Sequence, residues 1–466
     1  MESARAPSTV DRQSIGQDTV LRAFRGVLHR DPLDEELHRY EHSSPSRSWL
    51  KTELDNSEEA TTVVKPLRSL LVKEWDNWMF RQPTDAELGR GINETRHNCG
   101  GDIGVINAFS DGSISHKLAF RPVNIEMDIT NQCNLRCVMC NFSQPEFYKA
   151  KKQHLTVDIF AKVAEQAFPR ANQVSLSFGT EPLLHKDIWK FFAILAHYQV
   201  PRTYMNTNAQ LLRQPVIESM IEFGFHSLFV SVDAATKETY EKIRIGGKFE
   251  RLIGNLQNLQ RLKAEQGVSK PDFALGFVIM RQNMHELPMF IDLAADLGAV
   301  GVNAMHMMAW ESVGNAPMGA VHEKERCNRY LAEAHERARA RGIPLVAPQP
   351  FVLAEKNGTL VKNTAERSAA FGLDIRGKPA SVCPFPWSFV AIDMRGNVVP
   401  CGWWGNPDKE MGNIYTQEFL SIWRSPAYMA LRNRHLEGVL EGSCASCSAA
   451  GMGCPDADHA FSPRAR

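Results

Sequence analysis

The stretch DITNQCNLRCVMC, residues 128–140, places three cysteines on one short segment at the end of the β-forming run VNIEMDIT. Cys133, Cys137 and Cys140 have the spacing C-x3-C-x2-C. Three thiolates on one tight loop can hold three corners of a cubane iron–sulfur cluster and leave one metal position open. A structural zinc site would need a fourth ligand and usually a second cysteine pair. The segment therefore predicts an iron–sulfur site whose open position binds a substrate or cofactor.

Strand-like and helix-like runs alternate outward from this segment, from residue 122 to residue 308. Such alternation indicates parallel β-strands in βαβ units. The pattern predicts an α/β fold, a partial (β/α)6 barrel of the TIM type, with its chemistry at the C-terminal ends of the strands. The predicted strands span 123–130, 173–178, 202–207, 227–233, 273–280 and 302–308.

Motifs at successive strand ends resemble those of radical S-adenosylmethionine (SAM) enzymes. SFGTEPLL resembles the family's Gly-Gly-Glu-Pro motif, NTNAQLL resembles the segment after the third strand, and SVDAATKETYEKIR resembles the fourth strand and its helix. The resemblance implies that the three cysteines bind a 4Fe–4S cluster whose open iron chelates SAM. It also implies that SAM is cleaved to a 5′-deoxyadenosyl radical, which removes a hydrogen atom from the substrate.

The same resemblance assigns residues to SAM binding. Glu181 would meet the SAM amino group, and Ser231 and Asp233 would face the ribose or carboxylate. Met139 replaces the family's usual aromatic residue and Thr180 replaces its second glycine, but neither change removes a ligand. The asparagines of NTNAQLL could equally stabilise a turn, and Asp233 could cap the next helix. The predicted SAM-binding residues are Met139, Gly179, Thr180, Glu181, Asn206, Asn208, Ser231, Asp233 and Arg244.

A second group of cysteines lies near the C-terminus. The predicted ligands Cys383, Cys401, Cys444 and Cys447 have the spacing C-x17-C-x42-C-x2-C, and Cys454 follows them. A hairpin in FVAIDMRGNVVPC, with its turn at RGN, would bring Cys401 back towards Cys383. Four thiolates can hold a complete cluster or a zinc ion, and their spacing does not separate the two.

The C-terminal segment from CPFPWSFVAIDMRGNVVPC to CASC resembles the auxiliary-cluster extension of radical SAM enzymes. The larger form of that extension, SPASM, carries seven cysteines and two clusters, and the shorter form, twitch, carries four cysteines and one cluster. Five cysteines resemble the twitch form, which implies one auxiliary 4Fe–4S cluster and leaves Cys454 without a role. Zinc remains the alternative.

The auxiliary cluster indicates an oxidation. After hydrogen abstraction from a carbinol carbon, the product radical must lose a proton and an electron to become a ketone, and an auxiliary cluster can accept that electron. Twitch members of the family include alcohol dehydrogenases of aminocyclitols and sugars. The resemblance therefore implies a radical SAM oxidoreductase that oxidises or rearranges a sugar or cyclitol. The candidate bases near the last strands are Arg281, His306 and Glu311.

Two other functions remain open. Radical SAM maturases of ribosomally made peptides or proteins often carry an N-terminal winged-helix-like module, and residues 1–65 lack the pattern of its β-hairpin wing. An iron–sulfur scaffold or electron carrier would have no need of an open iron with a SAM pocket. Formation of 5′-deoxyadenosine by the reduced protein separates an enzyme from a carrier.

Segments on either side of the barrel complete the predicted organisation. FRGVLHRDPLDEEL resembles part of a helical module that accompanies sugar- and surface-polysaccharide enzymes. The predicted segments are a helical accessory module (1–65), a linker with one helix (66–118), the radical SAM core (119–320), a connecting helix and strand (321–380) and a separate auxiliary-cluster domain (381–466).

The composition of the chain limits the classes of partner that we expect it to bind. The 466 residues include 53 Lys and Arg and 53 Asp and Glu, so the formal charge of zero predicts neither nucleic-acid binding nor a polybasic membrane anchor. No apolar run reaches about 18 residues, so no membrane span is expected, and the polar N-terminus does not resemble a secretory signal. We expect a cytoplasmic enzyme that acts on a small polar substrate or a peptide. The resemblance implies a flavodoxin- or ferredoxin-type reductant.

Overall fold

The chain folds into two compact units, Met1–Arg121 and Pro122–Arg466, in a computed structural model. The structure describes residues 17–43, 47–79, 82–99, 101–110, 113–114, 118, 120–177, 179–307, 313–351, 353, 383, 385–402, 410–437, 439 and 444. None of the helices in these ranges has the length and apolar character needed to cross a membrane.

The first unit contains helices and no strand among its described residues. Their apolar faces form its core, in which Val20, Phe24, Leu67 and Leu71 are fully buried. The helices are α1 (Gln17–Val27), α2 (Asp34–Ser43), α3 (Arg47–Asp55), a π-helical turn (Ala60–Val64), α4 (Lys65–Met79), α5 (Asp85–Cys99) and α6 (Asp102–Ser110).

Two arginines connect the helices of this unit through ion pairs. The Arg30 guanidinium donates to Glu59 at 2.8 Å and to Glu36 at 2.7 Å. Arg96 donates to Asp102 at 2.7 Å and also pairs with Glu59. Because Glu59 accepts from both arginines, these charges stabilise the helical unit and are not free to bind a ligand.

The prediction of a linker with one helix over residues 66–118 is wrong, since α4, α5 and α6 occupy most of that span. Two glycines shape the junction of α5 and α6. A Cβ atom at Gly104 would lie 1.8 Å from the carbonyl oxygen of Cys99, so this close approach requires glycine. Gly101, with φ of +103°, provides the left-handed backbone between α5 and α6.

A mixed sheet forms the centre of the second unit. Its strands, together with a short separate ladder of β2 and β6, are β1 (Val123–Met127), β2 (Arg136–Cys137), β3 (Ala171–Ser175), β4 (Arg202–Thr207), β5 (Ser227–Ser231), β6 (Arg244–Ile245), β7 (Asp272–Ile279), β8 (Val302–His306), β9 (Leu345–Val346), β10 (Phe389–Ile392), β11 (Asn397–Val399) and β12 (Gly412–Asn413).

The order of strands in the large sheet is β12-β11-β10-β1-β3-β4-β5-β7-β8-β9. Neighbours from β10 to β9 run parallel, whereas β11 and β12 are antiparallel additions. The sheet does not close on itself, because β9 and β12 remain at its two ends. The predicted partial barrel is therefore confirmed.

Helices cover the outer face of this sheet and follow its strands along the chain. They are α7 (Pro145–Tyr148), α8 (Val157–Ala167), α9 (Ile188–His197), α10 (Gln214–Glu222), α11 (Lys237–Ile243), α12 (Phe249–Gln266), α13 (Leu287–Asp296), α14 (Lys324–Arg341), α15 (Phe385–Ser388), α16 (Phe419–Trp423) and α17 (Pro426–Glu437). Short 3₁₀ helices span Asn141–Ser143, Phe168–Arg170, Pro182–Leu184, Met284–Glu286, Ala316–Met318 and Ala320–Glu323.

The two faces of strand β4 differ in burial, and this difference positions part of the site. In β4, Thr203 and Met205 are buried, whereas Tyr204 and Asn206 are only partly buried. The partly buried set points into the barrel, since Asn206 lines the cavity described below. Because side chains alternate between the two faces of a strand, every second residue of β4, the set with Tyr204 and Asn206, faces the interior of the barrel.

The C-terminal hairpin extends the barrel sheet, which corrects the prediction of a separate domain over residues 381–466. Strand β10 pairs in parallel with β1, from Asn124 opposite Phe389 to Met127 opposite Ile392. All four residues of β10 are buried, because the strand lies inside the sheet rather than at its edge. In the predicted connecting segment, α14 packs against α13 and β9 pairs with β8.

Candidate active site

A cavity of about 730 Å³ lies at the carboxyl ends of the barrel strands. Its walls come from the cysteine loop after β1, the ends of β3, β4, β5, β7 and β8, and the turn between β10 and β11. The predicted residues that line it are Cys133, Cys137, Met139, Cys140, Gly179, Thr180, Glu181, Asn206, Asn208, Ser231, Arg244 and His306.

The cysteine loop brings three thiols to this one cavity. Cys137 is buried in strand β2, and Cys133 and Cys140 are partly buried. Burial raises the pKa of Cys133 to about 12 and that of Cys137 to about 11, so cluster binding must release their protons. Three thiolates on one loop can bind three different irons of a cubane. The donor set therefore fits a 4Fe–4S cluster.

An ion pair fixes Arg244 beside the cysteine loop. Its Nη1 lies 3.7 Å from the Cys137 sulfur, its Nε donates to the carbonyl of Val232 at 3.2 Å, and its Nη2 lies 2.5 Å from Asp233 Oδ2. Asp233 is fully buried, does not line the cavity and accepts from the Val278 amide at 2.7 Å. The Asp233 carboxylate is therefore the buried counter-ion of Arg244, and its contact with SAM stays a prediction.

Three hydrogen bonds hold the Glu181 carboxylate in the wall of the cavity. It accepts from the Asn208 amide and the Thr207 hydroxyl, both at 2.8 Å, and from the Leu183 amide at 3.1 Å. Burial raises the pKa of Glu181 to about 7, although these hydrogen bonds act in the opposite direction. The cavity thus contains a fixed carboxyl group that ionises near neutral pH.

The predicted asparagines have different surroundings. Asn208 donates to Asn134 Oδ1 at 2.9 Å and lies 4.0 Å from the Cys133 sulfur, so it holds the cysteine loop in place. Asn206 and Ser231 line the cavity, and their side chains form no hydrogen bond with another described residue. These two side chains are available to a bound molecule.

Among the lining residues that sequence reasoning missed are Asp128 and the β10–β11 turn. Asp128 accepts from the Thr180 hydroxyl at 2.7 Å and from the Gly179 amide at 3.1 Å. Its position at the end of the first predicted strand was a usable signal, because polar residues there face the chemistry of a barrel. Residues 393–395 of the β10–β11 turn also line the cavity. They carried no local signal, since their approach depends on the pairing of β10 with β1.

Of the three candidate bases, the structure places only His306 in the cavity. Both of its ring nitrogens are buried without a hydrogen-bond partner in the described ranges, and the ring stacks on Phe351 at a centroid distance of 4.3 Å. Burial lowers the pKa of His306, so its imidazole is neutral. The Arg281 side chain pairs with Glu323 at 2.9 Å outside the lining, and its role as a base stays a prediction. Glu311 lies outside the described residues.

The predicted auxiliary ligands Cys383 and Cys401 lie on either side of the β10–β11 hairpin. Cys383 precedes α15 and Cys401 follows β11, so both belong to the same end of the antiparallel pair. Cys444 follows α17 and is partly buried. Cys447 and Cys454 lie outside the described residues. The topology thus confirms the predicted hairpin.

A tyrosine next to the second cysteine group lacks a hydrogen-bond partner. The Tyr428 hydroxyl, on α17, is buried and has none among the residues that the structure describes. Burial and the neighbouring Cys401 raise the pKa of Tyr428. Buried hydroxyls normally have a hydrogen-bond acceptor. The unpaired Tyr428 hydroxyl therefore fits a sulfur-rich group bound at Cys401, which would supply that acceptor.

Comparisons with known proteins agree with this architecture. Residues 127–294 match the radical SAM superfamily, and residues 383–448 match the SPASM iron–sulfur cluster-binding domain. The first match contains the three cysteines of the loop, and the second contains the four predicted auxiliary ligands.

Individual relatives are distant in sequence. The AdoMet-dependent heme synthase of Methanosarcina barkeri is 24% identical over 335 residues, which cover 70% of this chain and 88% of that protein. A probable GTP 3′,8-cyclase of Methanocaldococcus jannaschii is 27% identical over 181 residues, or 38% of this chain and 56% of that protein. The structure of Streptococcus suis SuiB bound to S-adenosylmethionine has a TM-score of 0.54 at 14% identity, covering 87% of this chain and 86% of SuiB. These likenesses confirm the fold.

Proposed function

Since this chain is a radical SAM enzyme with a C-terminal iron–sulfur domain of the SPASM type, we propose that it oxidises a small polar metabolite of the sugar or cyclitol type. When bound, SAM and the two 4Fe–4S clusters supply a 5′-deoxyadenosyl radical that removes a hydrogen atom and an acceptor for the second electron. Substrate binding, orientation and proton transfer are the work of the cavity's own side chains.

The single observation that carries this proposal is the composition of the cavity. Its volume of about 730 Å³ lies in the range of small-molecule sites, and SAM must share it with the substrate. Asn206 and Ser231 offer unpaired polar groups, whereas Met305 and Met307 offer apolar surface. Such a lining can bind a small molecule beside SAM, and the choice of a sugar or cyclitol follows the resemblance of the C-terminal segment to twitch members.

We propose His306 as the acceptor of the carbinol proton. Its lowered pKa keeps one ring nitrogen free of a proton at neutral pH. Both ring nitrogens are buried in this structure, so the ring must turn towards the cavity before that nitrogen can accept from a substrate hydroxyl. Stacking on Phe351 restricts the orientation of the ring. Arg281, which pairs with Glu323 outside the lining, stays a prediction as an alternative base.

Maturation of a peptide is the second candidate. SuiB has been solved with its precursor peptide SuiA, but its likeness to this chain is 14% in sequence and concerns the fold. The helices of the first unit, in the part that the structure describes, include no β-hairpin of a winged-helix module. Because those described residues offer no such module to grip a leader peptide, a metabolite remains our first candidate.

Iron analysis of anaerobically reconstituted protein tests the two-cluster requirement. We expect about eight irons in the wild type and about four in a Cys383→Ala/Cys401→Ala variant. After reduction and addition of SAM, both proteins should form 5′-deoxyadenosine, but only the wild type should convert a sugar or cyclitol to a ketone. Zinc in the wild-type protein, or equal ketone formation by the variant, would contradict the oxidation. Absence of 5′-deoxyadenosine from both would indicate an electron carrier.

A further inference from the structure

We propose that the turn between β10 and β11 binds an anionic group of the substrate, a carboxylate or a phosphate, through the guanidinium of Arg395. The inference rests on the proposed function, because it concerns the substrate side of the same cavity. It assigns to the C-terminal hairpin a second role, in addition to placing cysteines at its other end.

The turn itself is fixed by its own hydrogen bonds. The Asp393 carboxylate accepts from the amides of Arg395 at 2.8 Å and Asn397 at 2.9 Å, and the Gly396 amide donates to the Asp393 carbonyl at 2.9 Å. Asn413, on β12, donates to the Arg395 carbonyl at 2.9 Å. The backbone beneath Arg395 is therefore ordered before any ligand binds, which reduces the entropic cost of binding.

Pairing with the barrel places this turn at the cavity. The amide of Asp128, directly after β1, donates to the carbonyl of Ile392 at 3.2 Å, at the point where β10 enters the turn. Asp393, Met394 and Arg395 all belong to the cavity lining, together with Asp128. The position of the turn is thus set by the same sheet that positions the cysteine loop.

Arg395 is the one charged residue of the lining without a partner in the described part of the chain. The charged residues of the lining are Asp128, Glu181, Arg244, Asp393 and Arg395. The first four are held by the hydrogen bonds and the ion pair described above. No hydrogen bond or ion pair joins the Arg395 guanidinium to a described residue, and its side chain is exposed.

The chemistry of the guanidinium defines the class of ligand. Its planar fork of donors matches the oxygens of a carboxylate or a phosphate in a two-point contact, which an uncharged hydroxyl cannot reproduce. Together with a substrate hydroxyl at His306, this contact would bind a molecule at two separate points of the cavity. The favoured substrates are accordingly acidic or phosphorylated sugars and cyclitols rather than neutral ones.

Nuclear magnetic resonance on the holoenzyme tests the anion site without knowledge of the substrate. The SAM-free protein is photoreduced, so that its paramagnetic clusters broaden the signals of molecules bound nearby. The probes are inorganic phosphate, ¹³C-carboxyl acetate and neutral myo-inositol. We expect saturable broadening of at least one anion, and about tenfold weaker binding of that anion to Arg395→Gln. The anion that binds more tightly identifies the group as a phosphate or a carboxylate.

Two further variants control for charge and folding. Arg395→Lys keeps the positive charge without the fork and should bind the anion with intermediate affinity. Arg251→Gln removes an exposed arginine on α12 that does not line the cavity, and it should leave anion binding unchanged. Iron content equal to that of the wild type verifies that each variant is folded.

Broadening that is absent in the wild type, or unchanged in Arg395→Gln, would overturn the anion site. Formation of 5′-deoxyadenosine is measured in the same preparations. Its absence would contradict the proposed function while leaving anion binding intact. Its presence, with anion binding indifferent to Arg395, would contradict the anion site alone.

Discussion

Glu181 is a single residue whose charge depends on pH in the physiological range. Burial raises the pKa of Glu181 to about 7, so at that pH half of the molecules carry the ionised carboxylate. If this group meets the amino group of SAM, as the resemblance implies, its ionised form can only accept hydrogen bonds from the amino N–H groups, whereas the protonated form carries a competing donor.

We therefore expect the affinity of the oxidised holoenzyme for SAM to rise about tenfold between pH 6 and pH 8, because the ionised fraction rises by that factor across a pKa near 7. Equilibrium dialysis at the two pH values measures it. Glu181→Gln should bind SAM weakly and with a flatter pH profile. Glu126→Gln is the matched control, since burial raises the pKa of Glu126 to about 7 as well, but Glu126 does not line the cavity. A steep profile in Glu181→Gln would exclude this role.

Arg244 and Asp233 form a buried ion pair beside the thiol of Cys137, one of the predicted cluster ligands. A cation close to Cys137 favours the reduced, more negative form of the cluster, and the Asp233 carboxylate partly offsets it. We expect Arg244→Gln to lower the reduction potential of the SAM-binding cluster and Asp233→Asn to raise it. Redox titrations followed by electron paramagnetic resonance measure both shifts. Lys248→Gln, an exposed charge removal in the segment between α11 and α12, should cause none. Shifts of the same sign in both variants would contradict the ion-pair argument.

At the level of elements, the hairpin turn depends on one glycine. Gly396 has φ of +84°, and a Cβ atom there would lie 2.7 Å from the Tyr415 ring. Gly396→Ala should reduce the free energy of unfolding by about 2 kcal/mol, since a left-handed alanine and a ring contact are both unfavourable. Thermal unfolding of the full chain measures the loss. Gly254→Ala, in the middle of α12 with open space around the new methyl group, should instead stabilise the protein by about 0.5–1 kcal/mol. A neutral Gly396→Ala would show that the turn is not constrained.

The barrel strands and the cysteine loop were predictable because their signals are local. Alternating strands and helices, and the spacing of Cys133, Cys137 and Cys140, lie within continuous stretches. The pairing of β10 with β1 joins residues about 265 positions apart, from Ile125 to Val390, and no local pattern records it. The contribution of the β10–β11 turn to the cavity was missed for the same reason.

The site residues also divide into those with a local sequence signal and those whose position depends on long-range pairing. The placement of Glu181 and Asn208 in the cavity wall followed from motifs at strand ends. The burial of Asp233 behind Arg244 depends on the β2–β6 ladder, which brings Cys137 opposite Arg244.

At the scale of the second unit, the C-terminal hairpin and the barrel share one sheet, so a defect in one should reach the other. Val390 is fully buried in β10 and pairs with Ile125 of β1. Val390→Ala should cost about 2 kcal/mol and accelerate hydrogen exchange in β1. Mass spectrometry of the peptide spanning 123–127 measures this exchange. Val346→Ala, an exposed valine of β9, is the matched control. Faster exchange in β10 alone would argue that the hairpin opens independently of the barrel.

The open sheet has a consequence for the behaviour of the protein in concentrated solution. A sheet that fails to close has two outer strands whose free amide and carbonyl groups can recruit another chain. Here those strands, β9 and β12, contain two residues each, Leu345–Val346 and Gly412–Asn413. Edges this short offer almost no template for intermolecular pairing. Aggregation of the folded protein through its sheet edges is therefore disfavoured, even though the barrel remains open.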